Sequence, residues 1–175
     1  MTAFDPRPPT AAITPAVIAA GLNALLVAIG STTGFLLAGP GAVVLLYGAR
    51  VGARRFVTIG GALGFAGAVV GAATGLPISL ALVGGAGALI AYDTAEHAVT
   101  LGVDVGADAT VTQSVAVHAP VGQSALVHAF GSLVVASLAA AVGYGIYEVG
   151  PTSAPVTALV ALLFAAVLLT YALGD

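Results

Sequence analysis

Residues 56–92 read FVTIGGALGFAGAVVGAATGLPISLALVGGAGALIAY and contain no charged side chain. A transmembrane helix needs about 20 mostly apolar residues, so this stretch is long enough for two. The Gly-Leu-Pro sequence at 75–77 divides it, because glycine and proline both disfavour a continuing helix. The stretch therefore predicts a membrane-embedded helical hairpin, with helices over about 56–74 and 78–92.

The composition of the whole chain supports a membrane location. Apolar residues make up 59% of the 175 residues and charged residues 6%, against roughly 45–50% and 25% in soluble domains. The mean hydropathy is +1.12, which excludes intrinsic disorder, since disorder requires low hydrophobicity and high charge. The absence of cysteine excludes disulfides, thiolate metal sites and cysteine nucleophiles.

Apolar segments on either side of this hairpin raise the predicted number of spans to six, arranged as three hairpins. These segments run over about 14–30, 35–49, 126–147 and 156–173. A tight polar turn is expected at 31–34. Residues 14–49 also suit one span plus a re-entrant piece broken at Gly-Pro-Gly 39–41, but two spans are favoured because the stretch is too long for one crossing. The predicted fold class is all-α, a polytopic helical membrane protein.

Polar residues divide the chain into four regions. These are a tail over 1–13, a four-span region over 14–92, a polar segment over 93–125 and a two-span region over 126–175. The polar segment is too long for a structureless loop. Apolar residues at helical spacing predict a helix–turn–helix excursion there, namely Val99 and Val103, Leu101 and Val105, and Val111 and Val115 with His118. The alternation of Val115 and Val117 also suits a strand.

Arginine positions set the predicted orientation, because cytoplasmic loops retain positive charge. Arg50, Arg54 and Arg55 lie between the second and third spans, and Arg7 lies in the N-terminal tail. An even number of spans before Arg50 places all these arginines on one side. We therefore expect the N-terminus, the 93–125 segment and the C-terminus in the cytoplasm, with the protein in the cell membrane.

Small residues recur along the predicted third span. Helices in lipid associate through close backbone packing, since no hydrophobic force drives them together. Glycines four residues apart share a helix face. The predicted helix-packing residues are Gly60, Gly64, Gly67, Gly71 and Gly75. Packing within the chain is the favoured interpretation, and self-association and a glycine-lined pore are the alternatives.

No predicted span carries a charged residue near its middle, where pumps and transporters hold ion-binding or proton-relay groups. Asn23 is the strongly polar interior residue of the first span, and its expected role is an interhelical hydrogen bond. The chain has no Gly-x-Ser-x-Gly nucleophile elbow and no phosphate-binding loop. We therefore predict no catalytic residues, no cofactor and no enzymatic activity.

The most polar part of the sequence follows the fourth span. Its candidate partner-docking residues are Asp93, Glu96, His97, Asp104, Asp108 and His118. If the helix continues beyond the membrane to about Val103, Asp93 and His97 share a face, and a protonated His97 would pair with Asp93. A divalent-metal site built from these groups with His128 is the alternative, although no His-Glu-x-x-His pattern supports it.

A further pattern runs from Tyr92 to Leu133. It consists of Tyr92-Asp93-Thr94-Ala95-Glu96-His97, Leu101-Gly102, Gly106, Thr112, Val127-His128-Ala129 and Ser132-Leu133. The pattern resembles a haloarchaeal family of small multi-pass membrane proteins of unknown function, with an Ala-Glu-His cytoplasmic segment and a Val-His-Ala segment entering a further span. Members are encoded near MoxR-type ATPases and transglutaminase-like membrane proteins, so the resemblance implies a place in a membrane-associated assembly. It supplies no catalytic residues.

Together these features predict a non-enzymatic integral membrane subunit or scaffold that docks partners through residues 93–125. Its expected partners are the lipid bilayer and other membrane-assembly subunits or a second copy of the chain. Nucleic acid is not an expected partner, because the net charge is −3 and no basic patch is available for phosphates. The alternative function is a small-molecule channel or transporter, since glycine-rich broken spans such as that around 39–41 can line cavities.

Overall fold

The computed structural model describes residues 5–107, 114–115 and 119–149. Its helices are α1 (Thr10–Gly30), α2 (Thr32–Val51), α3 (Arg54–Ala73), α4 (Ile78–Val105) and α5 (Val121–Val149). All five are long and apolar enough to cross a membrane. Between α4 and α5, two residues of β1 (Ser114–Val115) pair antiparallel with two of β2 (Ala119–Pro120).

The helices coincide with the first five predicted spans, and the predicted sixth span at 156–173 lies outside the described residues. α4 continues to Val105, close to the predicted end near Val103. The second helix of the predicted excursion is not what the structure has at Ser114–Val115, which are extended and paired. At these two residues the strand alternative, drawn from the alternation of Val115 and Val117, is therefore the better prediction. The rest of the predicted helix lies outside the described residues.

The turn between α1 and α2 is tighter than the predicted four-residue turn. Ser31 alone separates the two helices, and its Oγ accepts a 3.0 Å hydrogen bond from the backbone N–H of Gly34. This is an N-cap contact, so the polar residues after Ser31 form the first turn of α2. α2 then runs without a break through Pro40, so the break at 39–41 on which the re-entrant alternative was based is not present in this helix.

Glycines allow α2 and α3 to pack backbone against backbone. A Cβ atom at Gly60 would lie 2.3 Å from the backbone nitrogen of Leu45, and one at Gly67 would lie 2.7 Å from that of Ala38. Real Cβ atoms do not approach so closely, because the atoms would overlap. Gly60 and Gly67 therefore lie at the α2–α3 contact, and no larger residue fits there without moving a helix.

Gly64 and Gly71 also lie against α2, since a Cβ at Gly41 would be 2.7 Å from the Gly64 nitrogen and one at Gly34 would be 2.9 Å from the Gly71 Cα. Gly64 points towards Asn23 of α1 and Ala88 of α4, and Gly71 lies against Ser31 and Leu76. Gly75 lies beyond the end of α3 in the turn to α4, with a φ of +117° and open space beside it. The prediction for Gly75 is therefore corrected, because the turn needs a backbone conformation that L side chains rarely adopt.

Alanine faces bring α1 and α4 together at the centre of the bundle. The buried cluster includes Ala12, Ala16, Ala20, Ala91, Ala95 and Ala98. Asn23 is 2% exposed, and its Nδ2 donates a 3.4 Å hydrogen bond to the carbonyl oxygen of Gly64 in α3. The expected interhelical hydrogen bond of Asn23 is therefore present, although it is long.

One end of the bundle collects the N-terminal tail, the α2–α3 turn and the end of α4. The carbonyl oxygen of Asp5 accepts a 2.9 Å hydrogen bond from Ala107 just beyond α4. Gly102 permits this approach, because a Cβ there would lie 2.6 Å from the nitrogen of Pro8. Across the same end, the Arg54 guanidinium donates a 3.1 Å hydrogen bond to Thr100 Oγ1. The chain segments expected on one side of the membrane thus meet in space.

Adding one methyl group at the α2–α3 contact should destabilise the bundle. We expect Gly60→Ala to lower the unfolding free energy by about 1–3 kcal/mol, the usual cost of overpacking, because backbone atoms surround the site. Thermal unfolding in detergent measures the effect. Gly21→Ala is the matched control, since a Cβ at Gly21 meets nothing within 4 Å. Equal melting temperatures for the two variants would contradict the proposed contact.

Candidate functional site

A face of small and polar residues on α5 packs against α4. The residues are spaced by three or four positions and comprise Val121, Ala125, His128, Ser132 and Ala136. This spacing keeps them on one side of the helix. Val121, Ala125 and Ala136 are buried, and their short side chains bring the two helices close together. The seam therefore carries its two polar residues, His128 and Ser132, directly to α4.

Asp93 of α4 is the centre of the polar contacts in this seam. Its Oδ2 accepts a short hydrogen bond from Ser132 Oγ and lies 2.8 Å from His128 Nε2. The His128 contact has the distance of an ion pair but not the direction of an N–H···O hydrogen bond, so Nε2 lacks a hydrogen-bond partner. One carboxylate thus binds two side chains that lie a single helical turn apart on α5.

His97, one turn beyond Asp93 on α4, contacts the ring of His128. The ring centroids are 4.0 Å apart and the planes differ by 12°, which is a stacked arrangement. The Nε2 atom of His97 is buried without a hydrogen-bond partner. The predicted pairing of His97 with Asp93 within α4 is not the one that forms, because α5 supplies His128 to the carboxylate and His97 covers the face of that ring.

A second polar contact lies on the side of α4 that faces α3. Arg54 Nη1 is 3.8 Å from Glu96 Oε1, and Arg54 Nη2 donates to Thr100 Oγ1 one turn later. Glu96 and Thr100 are spaced to share a helix face, so a single arginine spans both. α4 is therefore joined by polar contacts to α3 on one side and to α5 on another, both near the same end of the bundle.

The candidate docking residues divide into three groups. Asp93, Glu96 and His97 contact other helices of the chain, as described above. Asp104 is exposed on the last turns of α4. Asp108 and His118 lie outside the described residues. The sequence grouped the six by polarity, whereas among the described residues the fold separates Asp93, Glu96 and His97, which contact other helices, from the exposed Asp104.

The geometry of the cluster limits its chemistry. The Ser132 Oγ lies within hydrogen-bond distance of the Asp93 carboxylate and of the His128 carbonyl oxygen, and among the described residues no imidazole nitrogen accepts its proton. Imidazole nitrogens bind metals in the plane of the ring, so two parallel stacked rings do not converge on one ion. Among the described residues, no group of three His, Asp or Glu side chains is arranged to hold a metal. The arrangement suits helix attachment.

Two contacts in this region were missed by reasoning from the sequence. The Ser132–Asp93 hydrogen bond and the Arg54–Glu96 ion pair both join residues that lie far apart in the sequence, although on consecutive helices. A sequence signal exists for the first, since His128 and Ser132 lie four residues apart on the small-residue face of α5. The sequence does not single out Arg54, because Arg50 and Arg55 are also arginines and lie in the same inter-helix turn.

The centre of the bundle contains a small cavity beside Asn23. Its volume is about 10 Å³, and it is lined mainly by alanine and glycine, with Leu45 as the largest side chain. A cavity of this size holds about one water molecule. The Oδ1 atom of Asn23 is buried without a hydrogen-bond partner. The space is thus too small for an organic solute.

Five apolar helices, small-residue contacts and polar groups gathered at one end define a polytopic helical membrane protein. Residues 6–170 match the family of unknown function DUF7519, and the chain belongs to that family. Comparisons with curated proteins and with solved structures find no match.

Removing the Asp93 carboxylate should loosen the attachment of α5. We expect Asp93→Ala to lower the unfolding free energy by about 1 kcal/mol, because Ser132 loses its acceptor and His128 its counter-charge. Thermal unfolding in detergent tests this. Asp104→Ala removes a carboxylate from an exposed position of the same helix and serves as the control. Equal melting temperatures for the two variants would show that the cluster does not stabilise the fold.

Proposed function

We propose that this protein is a non-enzymatic membrane subunit or scaffold that docks partners through the cytoplasmic 93–125 segment. The length of α4 is the observation that best supports this. Its 28 residues extend over about 42 Å, whereas the 20 residues of its neighbour α3 extend over about 30 Å, which matches a bilayer core. The last two turns or so of α4 are therefore long enough to stand outside the membrane.

The accessible part of this extension is a strip on α4 formed by Thr100, Val103 and Asp104, here called the α4 strip. All three are exposed, and Val103 is 60% exposed. Their spacing keeps them on one face of the helix. Asp93, Glu96 and His97 hold the base of the extension against α3 and α5. A helix fixed at its base and accessible beyond it is a rigid surface suited to a partner protein.

The cytoplasmic assignment follows from the arginines. The N-terminal tail, the α2–α3 turn and the end of α4 share one end of the bundle, and this end carries Arg7, Arg50, Arg54 and Arg55. Positive charge is retained on the cytoplasmic side. We infer a cell-membrane location with this end inside and, with a sixth span, a cytoplasmic C-terminus. The resemblance to haloarchaeal membrane proteins encoded near MoxR-type ATPases supports a place in a membrane assembly.

A small-molecule channel or transporter is the second candidate. It rests on the glycine content of the spans and on Asn23, which supplies a polar atom beside the central cavity. A cavity of about 10 Å³ holds about one water molecule, so the described helices offer little support for passage of a solute. An enzyme receives less support, because the Ser132 hydroxyl donates to the Asp93 carboxylate and to no imidazole nitrogen among the described residues.

Single-cysteine labelling tests the orientation, since the chain contains no native cysteine. We expect Val103→Cys to resist an impermeant maleimide in intact cells and to react after lysis. We expect Thr33→Cys, exposed at the other end of the bundle, to react in intact cells. Labelling of Val103→Cys from outside, with Thr33→Cys protected, would reverse the orientation.

Affinity purification in mild detergent tests the docking role. We expect wild type to retain a stoichiometric protein partner or a second copy, and Val103→Ser with Asp104→Asn to lose most of it while keeping its helical content. Thr32→Ser with Thr33→Ser, at the opposite end, is the control and should retain the partner. Recovery of the wild-type chain alone, as a monomer, contradicts the proposed function.

A further inference from the structure

The turn between α2 and α3 carries three arginines that differ in their surroundings. Arg54 is occupied by Glu96 and Thr100 of α4. Arg50, in the last turn of α2, and Arg55, in the first turn of α3, are exposed and have no hydrogen-bond or ion-pair partner in the part of the chain that the structure describes. The Asp5 carboxylate is likewise engaged, since Arg7 donates to it. Within the described part of the chain, two cations on one turn thus lack a counter-charge.

An exposed aromatic pair lies beside these arginines. Tyr47 of α2 and Phe56 of α3 meet edge to face with ring centroids 5.4 Å apart, yet they are 56% and 43% exposed. Tyrosine favours the level of the lipid headgroups, because its ring is apolar and its hydroxyl is polar, and Phe56 packs against the Tyr47 ring. The pair therefore marks the depth at which the membrane surface crosses α2 and α3.

Apolar side chains continue from the aromatic pair towards the membrane interior. Val43, Tyr47 and Arg50 are spaced by four and three residues and share a face of α2, and Val43 is 69% exposed. On α3, Ile59 follows Arg55 by one turn and is also exposed. Each helix thus presents a cation at its end and an apolar strip below it, which is the order of groups along a lipid.

We propose that the α2–α3 turn is a binding site for an anionic phospholipid. Arg50 and Arg55 bind the headgroup phosphate, Tyr47 and Phe56 contact the glycerol region, and Val43 and Ile59 contact the acyl chains. Guanidinium groups suit phosphate because their planar N–H groups match its oxygens. A lipid accounts for the aromatic pair and the apolar strip together with the cations. A soluble phosphate would account for the cations alone.

Native mass spectrometry of the full chain in a neutral detergent tests the site, with dioleoyl phosphatidylglycerol as the anionic probe and the zwitterionic dioleoyl phosphatidylcholine, which has no net charge, as the comparison. We expect phosphatidylglycerol to bind more tightly. A cation near an anionic lipid surface is worth about 1 kcal/mol, so Arg50→Gln or Arg55→Gln should weaken binding about fivefold and the double variant about 25-fold. Phosphatidylcholine binding should not change.

Charge-matched variants separate a defined site from general attraction. Arg50→Lys with Arg55→Lys should bind more weakly than wild type but more tightly than the double glutamine variant, because the charge is kept and the planar N–H match is lost. Arg7→Gln, which removes a cation from the N-terminal tail at the same end, should retain the affinity fully. Equal weakening by Arg7→Gln and Arg50→Gln would show diffuse attraction and overturn the proposal. Circular dichroism checks the fold, and the two single glutamine variants carry the test if the double variant loses helical content.

Two further results would also overturn the lipid assignment. One is phosphatidylglycerol binding by the double glutamine variant at wild-type affinity. The other is a rise in melting temperature with glycerol 1-phosphate equal to that with phosphatidylglycerol, which would identify a soluble phosphate site instead. This inference is independent of partner docking at the α4 strip, since loss of lipid binding and loss of a protein partner are read in different variants.

Discussion

The fold depends on the backbone contact between α2 and α3. Water drives helices together in a soluble protein, but lipid tails are as apolar as the helices they surround, so association in a membrane requires close packing. Gly60 and Gly67 supply it from α3, and Gly34 supplies it from α2, where a Cβ would lie 2.6 Å from the Gly67 carbonyl oxygen. Each helix fills the groove that the other leaves, so the contact fixes how the two helices face each other.

The same helix then positions the rest of the bundle. Gly64, between Gly60 and Gly67 in sequence, has its backbone nitrogen against Gly41 of α2, while a Cβ at Gly64 would meet Asn23 and Ala88, so α3 contacts α1 and α4 as well as α2. The Asn23 hydrogen bond to Gly64 adds a polar contact where lipid offers none. These contacts fix the position of α4. The depth of its polar residues relative to the membrane is therefore set by packing that lies far from those residues.

The sequence predicted those features that depend on composition and local spacing. The hairpins follow from long uncharged stretches divided by turn residues, and the extension of α4 follows from charged residues placed after an apolar span. Gly75 was grouped with the packing glycines because spacing alone does not show where a helix ends. The sequence also does not identify the partner of Asp93, because the choice between His97 and His128 depends on the rotation of α5 about its axis.

The attachment of α5 makes the polar cluster more significant than its individual contacts suggest. Within the described structure, 6% of the apolar 18-residue stretch of α5 is buried, against 44% of the corresponding stretch of α4. An exposed or half-exposed ion pair contributes little by itself, about 0–1 kcal/mol. For α4, which contacts all four other described helices, that contribution is minor. For α5, the Asp93 contacts and the His97–His128 stack supply direction as well as energy, because small side chains such as Ala125 and Ala136 permit close approach without specifying rotation.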